Sequence, residues 1–347
     1  MSSITTHNFR SLANTAAALA ACLPLSGPVQ AEWSGGLAAN AFYTDDIGLF
    51  SVSRRLSLEE DPTQPIVDEP DQGTDFVYEP NAYARWTTDN RLGELQISLD
   101  AGGYIFQDHS DYTHGFSQLS LAQDLGESTT IKLLYDYIPG LFIGRNSLPH
   151  EQHSATEAQQ EQEAEADERL DSHIWALHLE QDLNEQVIAR GLVRYGLRDY
   201  EPPFGYRDIQ FFTVGAHLEW IITSDIELLV GYHFERGYTE RDKTVIYQDD
   251  IGYINHFASA ELKIRLLPAL ELMAIFDYEH NDFTSPYAQD IHHDGNENVY
   301  QGELELLYEL TDMTTLKAGW QHGKRKFNYE AQSVRNNNAW LGMELHF

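Results

Sequence analysis

The chain of 347 residues has one cysteine, few basic side chains and no long apolar run. Its 22 lysines and arginines stand against 55 aspartates and glutamates, which gives a formal net charge of −33. So acidic a protein would repel nucleic acid, which excludes that class of partner. The single cysteine, Cys22, excludes an intramolecular disulfide. Beyond the N-terminal segment no apolar run reaches the roughly 18 residues that a membrane-spanning helix needs.

The N-terminal segment has the pattern of a secretory signal peptide over residues 1–31. Arg10 supplies a weak basic region, an Ala/Leu-rich core follows, and Val29-Gln30-Ala31 fits a small-residue cleavage site. A second interpretation stays open, because Leu19-Ala20-Ala21-Cys22 resembles the box of bacterial lipoprotein signals, in which the cysteine carries lipid. In both interpretations the exported part has no disulfide.

From residue 32 to residue 347 the chain alternates apolar and polar residues in fourteen runs. Period-two alternation predicts strands with one apolar and one polar face. The predicted strands lie at about 33–43, 77–88, 94–106, 114–122, 129–138, 173–181, 187–199, 208–220, 226–236, 253–266, 270–280, 299–310, 314–323 and 337–347.

The linkers between these runs alternate between short and long, with two of intermediate length at about 107–113 and 200–207. Two of the long ones, at about 44–76 and 139–172, are strongly acidic. The second contains an Ala/Glu/Gln-rich stretch, which predicts a solvated surface segment or a helix folded inward as a plug or gate. A divalent-cation patch is a further alternative for the acidic loops, although the sequence has no Ca²⁺-binding motif there. Strict sorting of loop lengths is typical of a membrane barrel with short periplasmic turns and long outer loops.

The last nine residues supply the family resemblance. Ala339, Leu341, Met343, Leu345 and Phe347 share one face of the final strand, and the chain ends on an aromatic residue. This ending resembles the closing strand of the outer-membrane β-barrel proteins of Gram-negative bacteria. The resemblance implies a single antiparallel barrel of about 14 strands in the outer membrane, in contact with lipid and lipopolysaccharide. It also implies a signal for the barrel-assembly machinery in the closing strand, at Trp340, Leu341, Met343, Leu345 and Phe347.

Strand parity assigns the charged residues to the lumen, because a lipid-facing arginine costs about 2–4 kcal/mol at the bilayer midplane. Three arginines share one face of the 187–199 strand, and carboxylates dominate the inward faces of the later strands. The predicted pore-lining residues are Arg190, Arg194, Arg198, Glu219, Glu227, Glu235, Glu261, Lys263, Glu271, Asp277, Glu303 and Glu305. A net acidic lining favours cations over anions.

Aromatic residues cluster near the strand ends and predict two girdles at the membrane interfaces. They are Trp33, Tyr78, Trp86, Tyr135, Tyr137, Trp175, Trp220, Tyr232, Phe234, Phe276, Tyr278, Tyr300, Tyr308, Trp320 and Trp340.

Three functions remain open. The first is a porin-like passive channel for small hydrophilic solutes or ions. The second is a non-conducting structural or adhesion barrel whose lumen is filled by ion pairs or by the 139–172 loop. The third is a barrel hydrolase, for which His217 and His233 are inward but have no inward serine beside them. No catalytic residue, cofactor or metal site is predicted, since adjacent histidines such as His292-His293 in a solvated loop are usually not ligands.

Overall fold

Fourteen antiparallel strands form one closed barrel in the computed structural model, which describes residues 31–47, 73–147, 165–239, 249–290, 292–328 and 333–347. The predicted fold class and strand count are therefore confirmed. The strands are β1 Glu32–Thr44, β2 Asp75–Asp89, β3 Glu94–Phe106, β4 His114–Asp124, β5 Thr129–Ser147, β6 Glu165–Asn184, β7 Val187–Tyr200, β8 Ile209–Thr223, β9 Ile226–Thr239, β10 Tyr253–Leu267, β11 Leu270–Phe283, β12 Asn296–Thr311, β13 Thr314–Phe327 and β14 Val334–His346.

Each strand pairs with its sequence neighbours, and β14 returns to β1. That seam runs from the Gly36–His346 pair to the Thr44–Asn338 pair. Beyond it, Gly35 and Phe347 exchange two backbone hydrogen bonds of 2.8 and 2.9 Å. The terminal phenylalanine therefore completes the ladder through its backbone, and the barrel has no open edge.

The two ends of the barrel differ in the length of their connections. At the turn end, four of the six connections have two residues, at 185–186, 224–225, 268–269 and 312–313. The loop end carries the longer connections, as predicted. In outer-membrane barrels the short turns lie in the periplasm and the long loops lie outside. No helix in the described ranges has the length and apolar character to cross a membrane.

The largest difference from the predicted boundaries is in β5 and β6, which extend well into the predicted 139–172 loop. Their pairing continues to Ser147 and Glu165. The predicted 129–138 strand stops before Pro139-Gly140, but these two residues form a bulge at which the register shifts between Ile138 and Leu141. Gly140 has a φ of +57°, a conformation that favours glycine.

Other predicted segments fall outside the described residues. These are residues 1–30 of the signal peptide, most of the acidic 44–76 loop, and the Ala/Glu/Gln-rich stretch of the 139–172 loop. Their predicted roles stay predictions.

A tight contact on the inner wall offers a test of side-chain orientation. Gly319 of β13 lies beside Trp340 of β14, and a Cβ atom at Gly319 would lie 2.1 Å from the Trp340 ring. The Trp340 indole Nε1 donates a 2.7 Å hydrogen bond to Glu305 Oε2. A larger residue at position 319 must therefore displace the indole and break this bond.

We expect Gly319→Val to destabilise the barrel by about 1–3 kcal/mol, the usual cost of overpacking. The measurement is urea unfolding of the refolded protein in detergent. Gly302→Val is the matched control, because a Cβ at Gly302 on the outer face meets no atom within 4 Å. Equal stability of the two variants would contradict the inward packing of Trp340.

Candidate functional site

The outer wall of the barrel is apolar and the inner wall is polar. Alternate residues along the strands are exposed apolar side chains, for example Val214, Leu304 and Leu341. The positions between them carry the charged and amide side chains that are buried inside. An apolar exterior around a polar interior is the arrangement that a lipid bilayer requires of a barrel.

Burial of the inward side chains increases from the turn end to the loop end. In β10 the inward series begins with buried Tyr253 and Asn255 at the loop end. It ends with half-buried Lys263 and exposed Arg265 at the turn end. Strands β11, β12 and β13 show the same gradient. The lumen is therefore accessible from the turn end and filled toward the loop end.

All twelve of the predicted pore-lining residues occupy inward positions, but they divide into two groups. Six are partly exposed: Arg190, Arg194, Glu219, Glu227, Lys263 and Glu271. Six are buried: Arg198, Glu235, Glu261, Asp277, Glu303 and Glu305. Whether the first group lines a conducting path stays a prediction.

The three arginines of β7 lie in different surroundings. Arg190 makes a 2.7 Å ion pair with Glu180 of the neighbouring strand β6. Arg198 is 1% exposed, donates a 3.0 Å hydrogen bond to Tyr253 Oη, and lies 4.6 Å above the Phe211 ring. These arginines therefore do not form one uniform stripe along an open channel.

The buried carboxylates are held by neighbouring strands. Glu235 accepts hydrogen bonds from Thr213 and Tyr253, and Asp277 accepts from Ser259 and Gln301. Glu303 accepts a 2.8 Å bond from Gln321. Each of these carboxylates is thus hydrogen-bonded within the wall, which is the condition for burying it at tolerable cost.

An outer layer of apolar side chains occupies the loop-end half of the lumen. We define this outer layer by one contiguous cluster drawn from eight strands and two loops: Leu141, Ile143, Leu170, Ile174, Tyr200, Phe204, Tyr206, Ile209, Phe211, Ile251, Tyr253, Phe257, Phe283, Val299 and Phe327. A second cluster on the opposite side includes Phe42, Tyr104, Tyr112, Phe142 and Trp340. Apolar side chains inside a barrel exclude water and close the passage.

Two short loops supply part of this closure by folding into the barrel. The β7–β8 loop contains the 3₁₀ helix Gly205–Arg207 and buries Phe204, Tyr206 and Arg207. The β3–β4 loop contains the 3₁₀ helix Ser110–Tyr112, and its Tyr112 ring packs edge-on against Phe142 at 4.8 Å. Sequence reasoning missed both loops, because each looked like an ordinary connection of intermediate length.

Arg207 fastens the β7–β8 loop to two other elements. Its Nη1 donates 2.9 Å hydrogen bonds to both carboxylate oxygens of Glu168 in β6, and its Nη2 lies 2.8 Å from Asp249 Oδ2. The guanidinium and Glu168 are both buried. A buried arginine with two carboxylate partners is costly to separate from them, because the partners would stay behind as unpaired charges.

Asp249 continues this network into the β11–β12 loop, where it lies 3.7 Å from the His292 ring. His292 also bonds Asp290 at 2.9 Å, so Asp249, Asp290 and His292 form a compact group. Both oxygens of Asp290 already accept protein hydrogen bonds. We therefore interpret the group as a set of contacts that holds the β9–β10 and β11–β12 loops together, and we call it the loop fastening. His293 and Asp294 do not belong to it.

A cavity of about 690 Å³ lies on the turn-end side of the outer layer, and residues of strands β2 to β9 line it. Lys132, Arg190 and Arg194 line it together with His178 and His217, and Glu79, Asp100, Asp136 and Glu180 supply its carboxylates. Its lining reaches Thr130, one residue from the turn-end limit of β5. Tyr104, Ile138 and Ile174 lie on the loop-end side. The cavity is therefore a charged chamber with a partly apolar loop-end side, called the roof below, where Glu79 and His114 also lie.

The inward histidines His217 and His233 contact each other. His217 Nε2 and His233 Nε2 hydrogen-bond each other at 2.6 Å, and their rings stack at 4.9 Å. Among the inward serines, Ser98 bonds Ser120 and Ser259 bonds Asp277. This geometry does not favour the barrel-hydrolase hypothesis.

The residues of the predicted assembly signal lie on both faces of the closing strand. Leu341, Met343 and Phe347 are exposed on the outer face. Trp340 is 4% exposed and points into the lumen. Its predicted place in an interfacial girdle is therefore wrong, because position 340 has the opposite parity to Leu341. Among the other predicted girdle residues, Trp33, Tyr78, Trp220 and Tyr308 are exposed on the outer face.

Comparisons with known proteins agree with this architecture. Residues 195–347, somewhat less than half of the chain, match the family model described as "Putative beta-barrel porin 2". A search of curated proteins found no significant match.

The outer membrane channel DcaP of Acinetobacter baumannii is 10% identical, with a TM-score of 0.52 over 94% of this chain and 100% of that chain. Outer-membrane expressed OmpT of Vibrio cholerae is 10% identical, with a TM-score of 0.48 over 94% and 100%. An anion-selective porin from Comamonas acidovorans is 12% identical, with a TM-score of 0.45 over 92% and 100%. At these identities the likeness extends to the fold alone.

The closed barrel, its apolar exterior and the sorted loops define the class of the protein. It is an outer-membrane β-barrel with the porin-like fold.

The loop fastening around Asp290 gives a pH-dependent prediction. Burial by itself raises the pKa of Asp290, but hydrogen bonds from His292, Ser285 and the Asp250 amide outweigh it and hold the pKa below its usual 3.8. A lowered carboxyl pKa adds stability above the unfolded pKa, and this stability is lost as pH falls through the folded value.

We expect the backbone amides of Asp250 and His292, which donate to the Asp290 carboxylate, to keep their protection from exchange between pH 7 and about pH 5, and to lose it below about pH 4. The measurement is hydrogen–deuterium exchange, corrected for intrinsic rates. Asp290→Asn should show reduced protection at pH 7 and a flatter pH profile. Protection that is independent of pH in the unmodified protein would contradict the role of the carboxylate.

Proposed function

We propose that the protein is a porin-like passive channel for small hydrophilic solutes, with a preference for cations, and that its loop end is closed in this conformation. The charged cavity carries the proposal. A structural barrel has no need of a chamber of about 690 Å³ lined by ionisable side chains. Membrane barrels with more than about eight strands have interiors too wide for wall side chains alone to fill.

Passage requires the outer layer to move. The part best suited to move is the β7–β8 loop, because it is short, lies inside the lumen and is held by the contacts of Arg207. Displacing Phe204 and Tyr206 with this loop would remove apolar side chains from above the cavity. We propose that this loop is the gate.

Cation preference would arise at the turn-end mouth. Glu219, Glu227 and Glu271 are inward and partly exposed there. Lys263 also lies at this mouth, 3.7 Å from Glu227 and 3.2 Å from Glu261. A rim with more carboxylates than ammonium groups lowers the electrostatic energy of entering cations.

The second candidate function is a non-conducting structural or surface-adhesion barrel, and the outer layer is the observation that favours it. If the layer never opens, the acidic outer loops are the working surface. The proposed partners outside the lumen are the same in both cases: outer-membrane lipid and lipopolysaccharide, and the barrel-assembly machinery that would read the closing strand. Neither proposal assigns catalysis to the chain.

The gate is tested by single-channel recording in planar bilayers. We expect the unmodified protein to open rarely and Arg207→Ala to raise its open fraction at least about tenfold, since separating a buried ion pair costs about 3–5 kcal/mol. Arg145→Ala is the matched control. Arg145 also lies at the loop end and contacts Asp167 at 3.0 Å, but it is 63% exposed and should contribute little.

Two outcomes decide between the candidate functions. Discrete current steps that become frequent in Arg207→Ala would support the gated channel. If Arg207→Ala inserts and shifts on gels when heated, yet neither protein ever conducts, the channel proposal fails and the structural barrel is favoured.

Selectivity is tested by the reversal potential in a salt gradient. The triple variant Glu219→Gln, Glu227→Gln, Glu271→Gln removes three carboxylates from the mouth and should shift the reversal potential toward that of a non-selective pore. Glu185→Gln, in an exposed turn between β6 and β7, should leave it unchanged. An unaltered reversal potential in the triple variant would place selectivity elsewhere.

A further inference from the structure

The cavity contains charged groups of both signs that make no direct hydrogen bond or ion pair with the wall. Among the residues that the structure describes, the side chains of Lys132 and Asp100 make no hydrogen bond or ion pair, although both line the chamber. The ring atom His178 Nε2 is buried and also has no hydrogen-bond partner there. Most other charged groups in the lumen are paired, as Arg190 is with Glu180 and Lys317 is with Glu344.

The unpartnered groups lie on separate parts of the wall. Lys132 of β5 pairs in register with His178 of β6, and Arg194 lies on the adjacent β7, so this side is basic. Asp100 lies on β3, two strands away from Lys132 and nearer the loop end. Strand spacing and rise place the two Cα atoms about 16 Å apart. The positive charges of Lys132 and of Arg85 on β2 act on the Asp100 carboxyl across the cavity without a direct hydrogen bond.

The roof adds a third feature. Tyr104, Ile138 and Ile174 border the chamber on its loop-end side, and they offer an apolar surface between the basic and acidic groups. A bound molecule with an apolar middle would contact this surface while its charged ends contact the wall.

On this basis we infer that the cavity is a binding site for a small organic zwitterion. Its carboxylate would lie at Lys132, Arg194 and His178, its ammonium group at Asp100, and a short methylene linker under the apolar roof. A carboxylate alone would leave Asp100 unpartnered, and an ammonium ion alone would leave Lys132 unpartnered. The inference deepens the proposed channel function by naming its solute class, and it rests on that function only for transport.

Binding is tested with three probes of matched length: 5-aminopentanoate, pentanoate and pentylammonium. Isothermal titration calorimetry of the full-length protein in detergent measures binding without requiring an open channel. We expect 5-aminopentanoate to bind about tenfold more tightly than either singly charged probe, the difference made by one charge-assisted hydrogen bond.

The variants assign each end of the zwitterion. Lys132→Met should reduce the advantage of 5-aminopentanoate over pentylammonium, because only Arg194 and His178 would still contact the carboxylate, and Asp100→Asn should reduce its advantage over pentanoate. Lys317→Met and Glu344→Gln are the controls, because they alter a paired lysine and glutamate of the inner wall that lie outside the cavity lining. Heat-modifiable migration on gels checks that each variant has folded.

The possible outcomes test the binding site and the channel function separately. Equal affinity for all three probes, or a preference that survives both cavity variants, would overturn the inferred site even if the protein conducts ions. Preferential binding by a protein that never conducts would support the binding site and contradict the channel proposal.

Discussion

Closure of the backbone hydrogen-bond ladder is the constraint on which the rest of the structure depends. Lipid offers no partner to an amide or a carbonyl group, so every strand must find two neighbours. The β1–β14 pairing provides the last of them, and the two bonds between Gly35 and Phe347 extend the seam to the turn end. Once the sheet is closed, strand parity fixes which side chains face lipid and which face the lumen. The lumen then has to accommodate a large number of ionisable groups.

The barrel handles these groups differently along its axis. Toward the loop end, charges such as Arg198, Glu235 and Asp277 are buried, and each is hydrogen-bonded to a residue of another strand. Toward the turn end, water reaches the inward side chains, and charges there can remain without protein partners. The cavity lies between the buried loop-end part and the hydrated turn-end part of the lumen. In the proposed site, a solute would therefore replace water at Lys132 and Asp100, whereas the buried carboxylates are not accessible to it.

The outer layer links stability to function. Its aromatic and aliphatic side chains exclude water from half of the lumen, and their packing contributes to stability as in the core of a soluble domain. In the proposed channel the same packing would block passage. A barrel that conducts must therefore lose part of this packing. In the proposed gate the loss is confined to the β7–β8 loop, which the contacts of Arg207 hold in place. The partition between a closed and an open state would then depend on a few buried contacts.

Alternation along the sequence was enough to determine the strand count, the sorting of turns and loops, and the inward parity of all twelve predicted wall residues, because these follow from a local period of two. It misjudged Pro139-Gly140, where a bulge continues the pairing of β5 with β6, and the girdle role of Trp340. Only the tertiary structure decided that half of these wall residues are buried, that Arg190 pairs with Glu180, and that Phe204 and Tyr112 fold into the lumen. Those facts depend on tertiary contacts between side chains of strands and loops that are far apart in the chain. A local pattern contains no information about such contacts.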